Sequence, residues 1–106
     1  MIFHLVLVHN QQLWLMRRCD RELSEEDKLS VSDHLGLKWC EVGRRMKLSD
    51  GQIENIAADH PRSIDRAYNL LTIWHDQESR EATVAKLAAI LLQCNASSAL
   101  NHLSCG

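Results

Sequence analysis

The 106-residue sequence contains a single proline and four glycines. That leaves too little turn punctuation for the many tight turns of an all-β sandwich or barrel. An excess of charge of one sign is also missing. Twelve Lys and Arg against 14 Asp and Glu give a net charge of -2, which argues against binding nucleic acid through bulk positive potential. Long apolar runs are absent as well. The run Met1–Val8 stops at His9-Asn-Gln-Gln12, short of the ~20 residues a membrane-spanning helix needs. It lacks the basic start and small-residue cleavage site of a secretory signal. No membrane insertion is expected, and a cytoplasmic location is.

Paired metal ligands are the next absence. His4, His9, His34, His60, His75 and His102 are scattered, as are Cys19, Cys40, Cys94 and Cys105, and no CxxC pair occurs. Neither zinc nor another cofactor is expected on such spacing. In a chain able to build a core, the four cysteines are expected to be reduced thiols, not a secreted staple framework. Cys40 is near His34 in sequence but reads as a small hydrophobe at the core edge. No nucleophile, base and orienting group come together, so an enzyme is not expected. Asn95-Ala96-Ser97 fits a glycosylation acceptor by chance, given the cytoplasmic reading.

What is present is helical periodicity, in a chain long enough to bury roughly 65% of its unfolded surface. Residues 1–22 show no clean period, with Leu5, Val8, Leu13 and Trp14 apolar, and read as an N-terminal extension that ends in a polar joint, Arg17–Arg21. Ser24-Glu-Glu-Asp27 is a capping-box start with acids in the first turn. It predicts a helix to Leu35, stopped by Gly36, with Leu29, Val31 and Leu35 inward. Trp39, Val42, Gly43 and Met46 stand at i, i+3, i+4 and i+7, the inner stripe of a second helix. Ser49-Asp-Gly-Gln52 repeats the capping-box spacing and opens a third, with Ile53, Ile56 and Ala57 inward. Pro61 ends it at His60. A fourth helix from Ser63 carries Ile64, Ala67, Tyr68, Leu71 and Trp74, and His75–Arg80 reads as a polar connection. Ile73 falls off that stripe, so it is either exposed or covered by a neighbour. A fifth, from Glu81, buries Val84, Leu87, Leu91 and Cys94. Ala99, Leu100 and Leu103 suggest a short sixth. Short loops between six helices indicate an all-α bundle. Its core is expected to hold Trp39, Val42, Ile53, Ile56, Leu71, Trp74, Leu87 and Leu91, since aromatic burial dominates small cores.

These residues also form a known pattern. Leu35-Gly-Leu-Lys-Trp39, Leu48-Ser49, Ile53-Glu-Asn-Ile56, Asp59-His-Pro-Arg62, Leu70-Leu-Thr-Ile-Trp74 and Ala82-Thr-Val84…Leu87 together resemble the death domain, over about Leu23 to Leu103. The stretch from Trp74 to Leu87 is similar to Fas-associated adaptors, and Asp33–Trp39 is similar to ankyrin death domains. The resemblance implies a six-helix antiparallel Greek-key bundle, the death fold, over residues 23–104. It implies a non-enzymatic homotypic interaction module in an apoptotic or innate-immune adaptor complex, using three asymmetric contact types. Two departures stand out. Residues 1–22 are too short for the death-effector domain that precedes the death domain in the adaptors, so caspase recruitment by this segment is not expected. The usual glycine between helices four and five is replaced by Glu78-Ser79-Arg80.

The predicted interaction residues are Arg44, Arg45 and Lys47, basic at the end of helix two, with Asp50, Glu54, Asp59, Arg62 and Asp65 over helix three and the next turn. Both signs side by side suit head-to-tail pairing, which propagates instead of closing. The expected partners are other death-domain proteins, including further copies of this chain. Two other readings remain open. One is a scaffold or autoinhibitory domain that contacts its own parent protein and does not oligomerise. The other is a helical nucleic-acid-binding domain, which Asp50 and Glu54 on the exposed side of helix three oppose, since they would face phosphates.

Overall fold

A computed structural model describes residues 19–105. Residues 1–18 lie outside them, and with them most of the expected N-terminal extension. The described residues form an all-α bundle: α1 Glu25–Leu35, α2 Trp39–Arg45, α3 Asp50–Asp59, α4 Ser63–Glu78, α5 Val84–Gln93 and α6 Ser97–Asn101. Single 3-10 turns, Gly36–Lys38 and Ser79–Glu81, join α1 to α2 and α4 to α5. The long α4 packs on α1, α2 and α3, while α1 reaches across to α6, and α2 to α5. Helices therefore meet partners distant in sequence, as in the Greek-key bundle of the death fold.

Local chemistry starts three of these helices. Ser24 and Asp27 exchange both capping-box bonds, at 3.2 and 2.8 Å, and Ser49 and Gln52 do the same at 2.9 and 3.1 Å. Each box satisfies two backbone N–H groups that a helix start leaves open. The Thr83 hydroxyl accepts from the Lys86 amide at the start of α5. Trp39, Val42, Ile53, Ile56, Leu71, Trp74, Leu87 and Leu91 are all buried in one apolar cluster. Cys40 and Ile73 are half-buried against it.

Several boundaries and faces differ from expectation. Leu29 is 53% exposed, and the inner face of α1 is Lys28, Val31, Ser32 and Leu35. Those four positions are a full i, i+3, i+4, i+7 stripe, which Lys28 completes with its aliphatic stem while its ammonium reaches Glu25 at 3.4 Å. Helix α4 absorbs His75–Glu78 and stops only at Ser79, whose φ of 54° lies in the left-handed region. Helix α5 begins at Val84, not Glu81, because Thr83 is its cap. The last helix starts at Ser97, ahead of the apolar residues used to place it.

The cysteine expectation is corrected for one pair: Cys19 and Cys105 are joined by a disulfide, while Cys40 and Cys94 are free. The reason is convergence of the two ends of the domain. Residues 19–23 lie against the loop before α5, with Glu22 bridged to Thr83, and Arg21 donates to the carbonyls of Ser104 and Cys105. Cys19, read as part of a polar joint, is 2% exposed. No helix among the described residues is long and apolar enough to cross a membrane.

Candidate interaction surface

The charged corner of the molecule is built by how α2 ends. The Lys47 amide donates to Arg44 O at 3.0 Å and the Leu48 amide to Gly43 O at 3.1 Å, the paired bonds of a Schellman closure. Lys47 sits at its left-handed position, φ 66°, where glycine is the usual residue. Met46 and Leu48, on either side, are buried at 4% and 6% exposure. Their burial anchors the turn and leaves Lys47 exposed with Arg44 and Arg45. Three cations thus stand at the negative end of α2, where the helix dipole favours them.

Ser49 follows at once as the cap of α3, so the first acid of that helix, Asp50, is held three residues from Lys47 by two consecutive hydrogen-bonded motifs. Asp50, Glu54 and Asp59 are all exposed. Asp50 and Asp59 mark the ends of the helix, roughly 13 Å apart at 1.5 Å per residue. Asp59 is an acid in the last turn, where the dipole opposes it. After Pro61, Arg62 pairs with Asp65 at 3.4 Å, with Arg62 exposed and Asp65 half-buried. The eight predicted residues therefore lie in two groups: cations at the end of α2, and exposed acids at the two ends of α3, Asp50 and Glu54 near its start and Asp59 beside the mixed turn before α4.

Two features of this corner escaped the sequence reading. Arg66 donates from Nε to His60 O and from Nη2 to Ala57 O at 3.0 Å, with its guanidinium 5.5 Å from the centroid of the Trp39 ring. It ties the last carbonyls of α3 to α4 and to the first residue of α2. Its position on α4, two residues from Ile64 on the inner stripe, gave no sign of this. The second is a recess of about 250 Å³ between α2, α4 and α5, lined by Arg45, Met46, Lys47, Trp74, Glu78, Lys86, Ala89 and Ile90. It brings the cation Lys86 and the anion Glu78 beside Arg45 and Lys47 of the α2 end, with apolar side chains in the same lining. Lys86 also pairs with Glu81 at 2.9 Å. Helical spacing within α4 and α5 could not show that these residues share a recess with α2.

Nearby, burial pushes the Cys94 thiol up, Glu41 adds to the effect, and Arg45 and Lys38 oppose it. Cys94 is therefore held as a thiol in the core at neutral pH. The Lys38 ammonium donates to its carbonyl at 2.7 Å, closing the end of α5. The arrangement has the parts of a contact surface: fixed charges of both signs around a shallow, partly apolar recess.

The family model of the death domain matches residues 26–104. Ankyrin-1 of Mus musculus is 34% identical over 74 residues, covering 69% of this chain and 4% of that protein. FAS-associated death domain protein of Homo sapiens is 35% identical over 65 residues, 60% of this chain and 31% of its own length. Tumor necrosis factor receptor type 1-associated DEATH domain protein of Xenopus laevis is 33% identical over 79 residues, 68% of this chain and 26% of that protein. The chain thus spans less than a third of each of these relatives.

Proposed function

Because this chain belongs to the death-domain family, we propose that it is a non-enzymatic, cytoplasmic interaction module that assembles signalling complexes by docking on other death domains. The observation that carries this reading is the charged corner. Arg44, Arg45 and Lys47 are exposed and set by the Schellman closure, which leads directly into the start of α3 with its exposed acids Asp50 and Glu54. A surface with its cations at one end and its acids along the next helix is complementary to a displaced copy of itself or of a relative. Such contacts are heterologous and propagate into open oligomers. Charge then sets register and encounter rate more than affinity. Likeness to the Fas-associated and receptor-associated proteins supports an adaptor role in apoptotic or inflammatory signalling.

Charge reversal tests this directly. Arg45→Glu and Asp65→Arg, each folded by circular dichroism, are expected to lose co-assembly with death-domain partners in sedimentation or pull-down. Restored assembly on mixing the two variants would identify the pairing. If both single variants assemble like wild type with every partner, the assigned surface is wrong. The ankyrin likeness supports a second reading, a domain docked on its own parent protein without oligomerising. Light scattering against concentration separates the two: a constant monomer mass favours the second.

A further inference from the structure

We propose that the Cys19–Cys105 disulfide is a thiol-exchange site that controls whether residues 19–23 stay clasped across the start of α5. The segment is held at many points. The Val84 amide donates to Arg21 O at 2.9 Å, the Ala85 amide to Cys19 O at 3.0 Å, and the Leu23 amide to Ala82 O at 2.9 Å. Two first-turn N–H groups of α5, which a helix cannot satisfy internally, thus depend on carbonyls of the clasp. Arg21 forks onto Asp27 at 2.7 and 3.2 Å and reaches Ser104 O at 2.8 Å and Cys105 O at 3.3 Å. Glu22 meets His75 of α4 at 2.6 Å. One covalent bond closes the arrangement, across a sequence separation of 86 residues.

The two cysteines are unequally placed. Cys19 is buried, whereas Cys105 is exposed at the rim of an open polar recess of about 380 Å³, whose walls include Arg21, Asp27, Ser30 and His102. A small thiol therefore reaches Cys105 Sγ first. Its thiolate attacks that sulfur, a mixed disulfide forms, and the bond to Cys19 Sγ breaks. Cys19 leaves as a thiolate and takes a proton from water. A second thiol attacks the mixed disulfide, releasing Cys105 as a thiol and the reagent as its own disulfide. One protein disulfide is reduced and two thiols are oxidised. In a reducing compartment the pair stays open. An oxidising shift closes it and fixes the first turn of α5, the helix that brings Lys86 and Ile90 to the recess beside Arg45.

The test uses the full chain, oxidised with glutathione disulfide or reduced with dithiothreitol. Alkylation under denaturing conditions should label Cys40 and Cys94 in the first state and all four cysteines in the second. Hydrogen exchange at Leu23, Val84 and Ala85 should be about tenfold faster or more after reduction. The midpoint of thermal unfolding should fall by roughly 10 °C or more. Cys105→Ser, at an exposed position, should show the reduced behaviour without reductant and then ignore dithiothreitol. Four labelled thiols after oxidation overturn the proposal. So does equal exchange at Val84 and Ala85 in the two states.

Discussion

Gly43 lies inside α2, where helix propensity alone says that alanine would be better by about 1 kcal/mol. The structure predicts the opposite sign for Gly43→Ala. A Cβ built on Gly43 would stand 2.5 Å from Leu70 Cδ1 of α4, with Ile53 Cδ1 and Cγ1 of α3 at 3.7 Å. Carbon atoms pack at about 3.5–4.0 Å, so Leu70 would have to retreat by more than about 1 Å. Leu70 is 0% exposed in the apolar cluster, so its retreat must displace close-packed neighbours. Overpacking of this kind costs about 1–3 kcal/mol. Set against the propensity gain of about 1 kcal/mol, the net expectation is a loss of about 1 kcal/mol. For a domain of this size that is a fall in Tm of roughly 4–8 °C.

Urea denaturation followed by circular dichroism measures the loss, and a second background shows its cause. Leu70→Val removes Cδ1, so Gly43→Ala introduced there should be neutral or stabilising. The change of sign between backgrounds is a coupling of about 1–2 kcal/mol, within the range for contacting residues. If Gly43→Ala stabilises the wild-type chain, or costs the same in both backgrounds, the close approach of α2 to α4 is not what glycine serves at this position.

Other substitutions test other parts of the argument. Ser79 holds φ 54° and ψ -121°, a sparsely populated conformation that costs a non-glycine residue about 1–3 kcal/mol. Ser79→Gly should raise stability by about 0.5–1 kcal/mol after the unfolded-state entropy of glycine is subtracted, seen as a higher Tm. Arg66→Met strips donors from the carbonyls of Ala57 and His60, and should cost about 1–3 kcal/mol in a denaturant titration. Arg66→Lys should recover little of this, since an ammonium cannot fork to both carbonyls. Burial pushes the Asp27 carboxyl up, but hydrogen bonds from Arg21 and Ser24 outweigh it and hold the group below the usual carboxylate range. Its contribution to stability is therefore complete above the unfolded value of about 3.9 and is lost as pH falls through the lower folded value. The Tm gap between wild type and Asp27→Asn should be constant from pH 7 to 5 and shrink below pH 4.

How much of this was legible in the sequence follows from the range of each interaction. The capping boxes of Ser24 and Ser49 are confined to four residues, and both were visible. Trp39 and Trp74 could be turned inward from spacing alone, because a helix rotates by a fixed angle per residue. Lys28 could not be placed, because an apolar stripe is counted by residue type and its contribution is a methylene stem. The missing glycine after α4 was visible as a departure from the family pattern. That Ser79 would take the left-handed conformation in its place was not. The clasp was hidden most completely. It rests on residues 86 apart in sequence, and scattered cysteines gave no reason to pair them. On the candidate surface, seven of the eight charges are exposed as read and Asp65 is half-buried, whereas Arg66 and Lys86 were placed only by the packing of α2 against α4 and α5.

The charged corner also breaks several local rules of helix termini. Lys47 occupies a left-handed position that favours glycine. Asp59 puts a negative charge at the negative end of α3. Arg62 stands at the cap position of α4 without a side-chain hydrogen bond, where Ser, Thr, Asp or Asn would supply one. Helices α1, α3 and α5, by contrast, begin on serine or threonine caps that do form the bond. Positive φ also occurs at Ser79 and Asn95, and α2 and α6 also start without a side-chain cap bond. What distinguishes the corner is that three such choices, which oppose stability as functional positions often do, fall on charges of the proposed surface. The consequence is a trade-off that can be measured at single residues. Lys47→Gly should relieve the left-handed strain and raise the urea midpoint, while weakening association with a death-domain partner. Arg62→Ser should do the same by restoring a cap. Were both variants more stable with association unchanged, these residues would be ordinary surface, and the corner would have no claim to function.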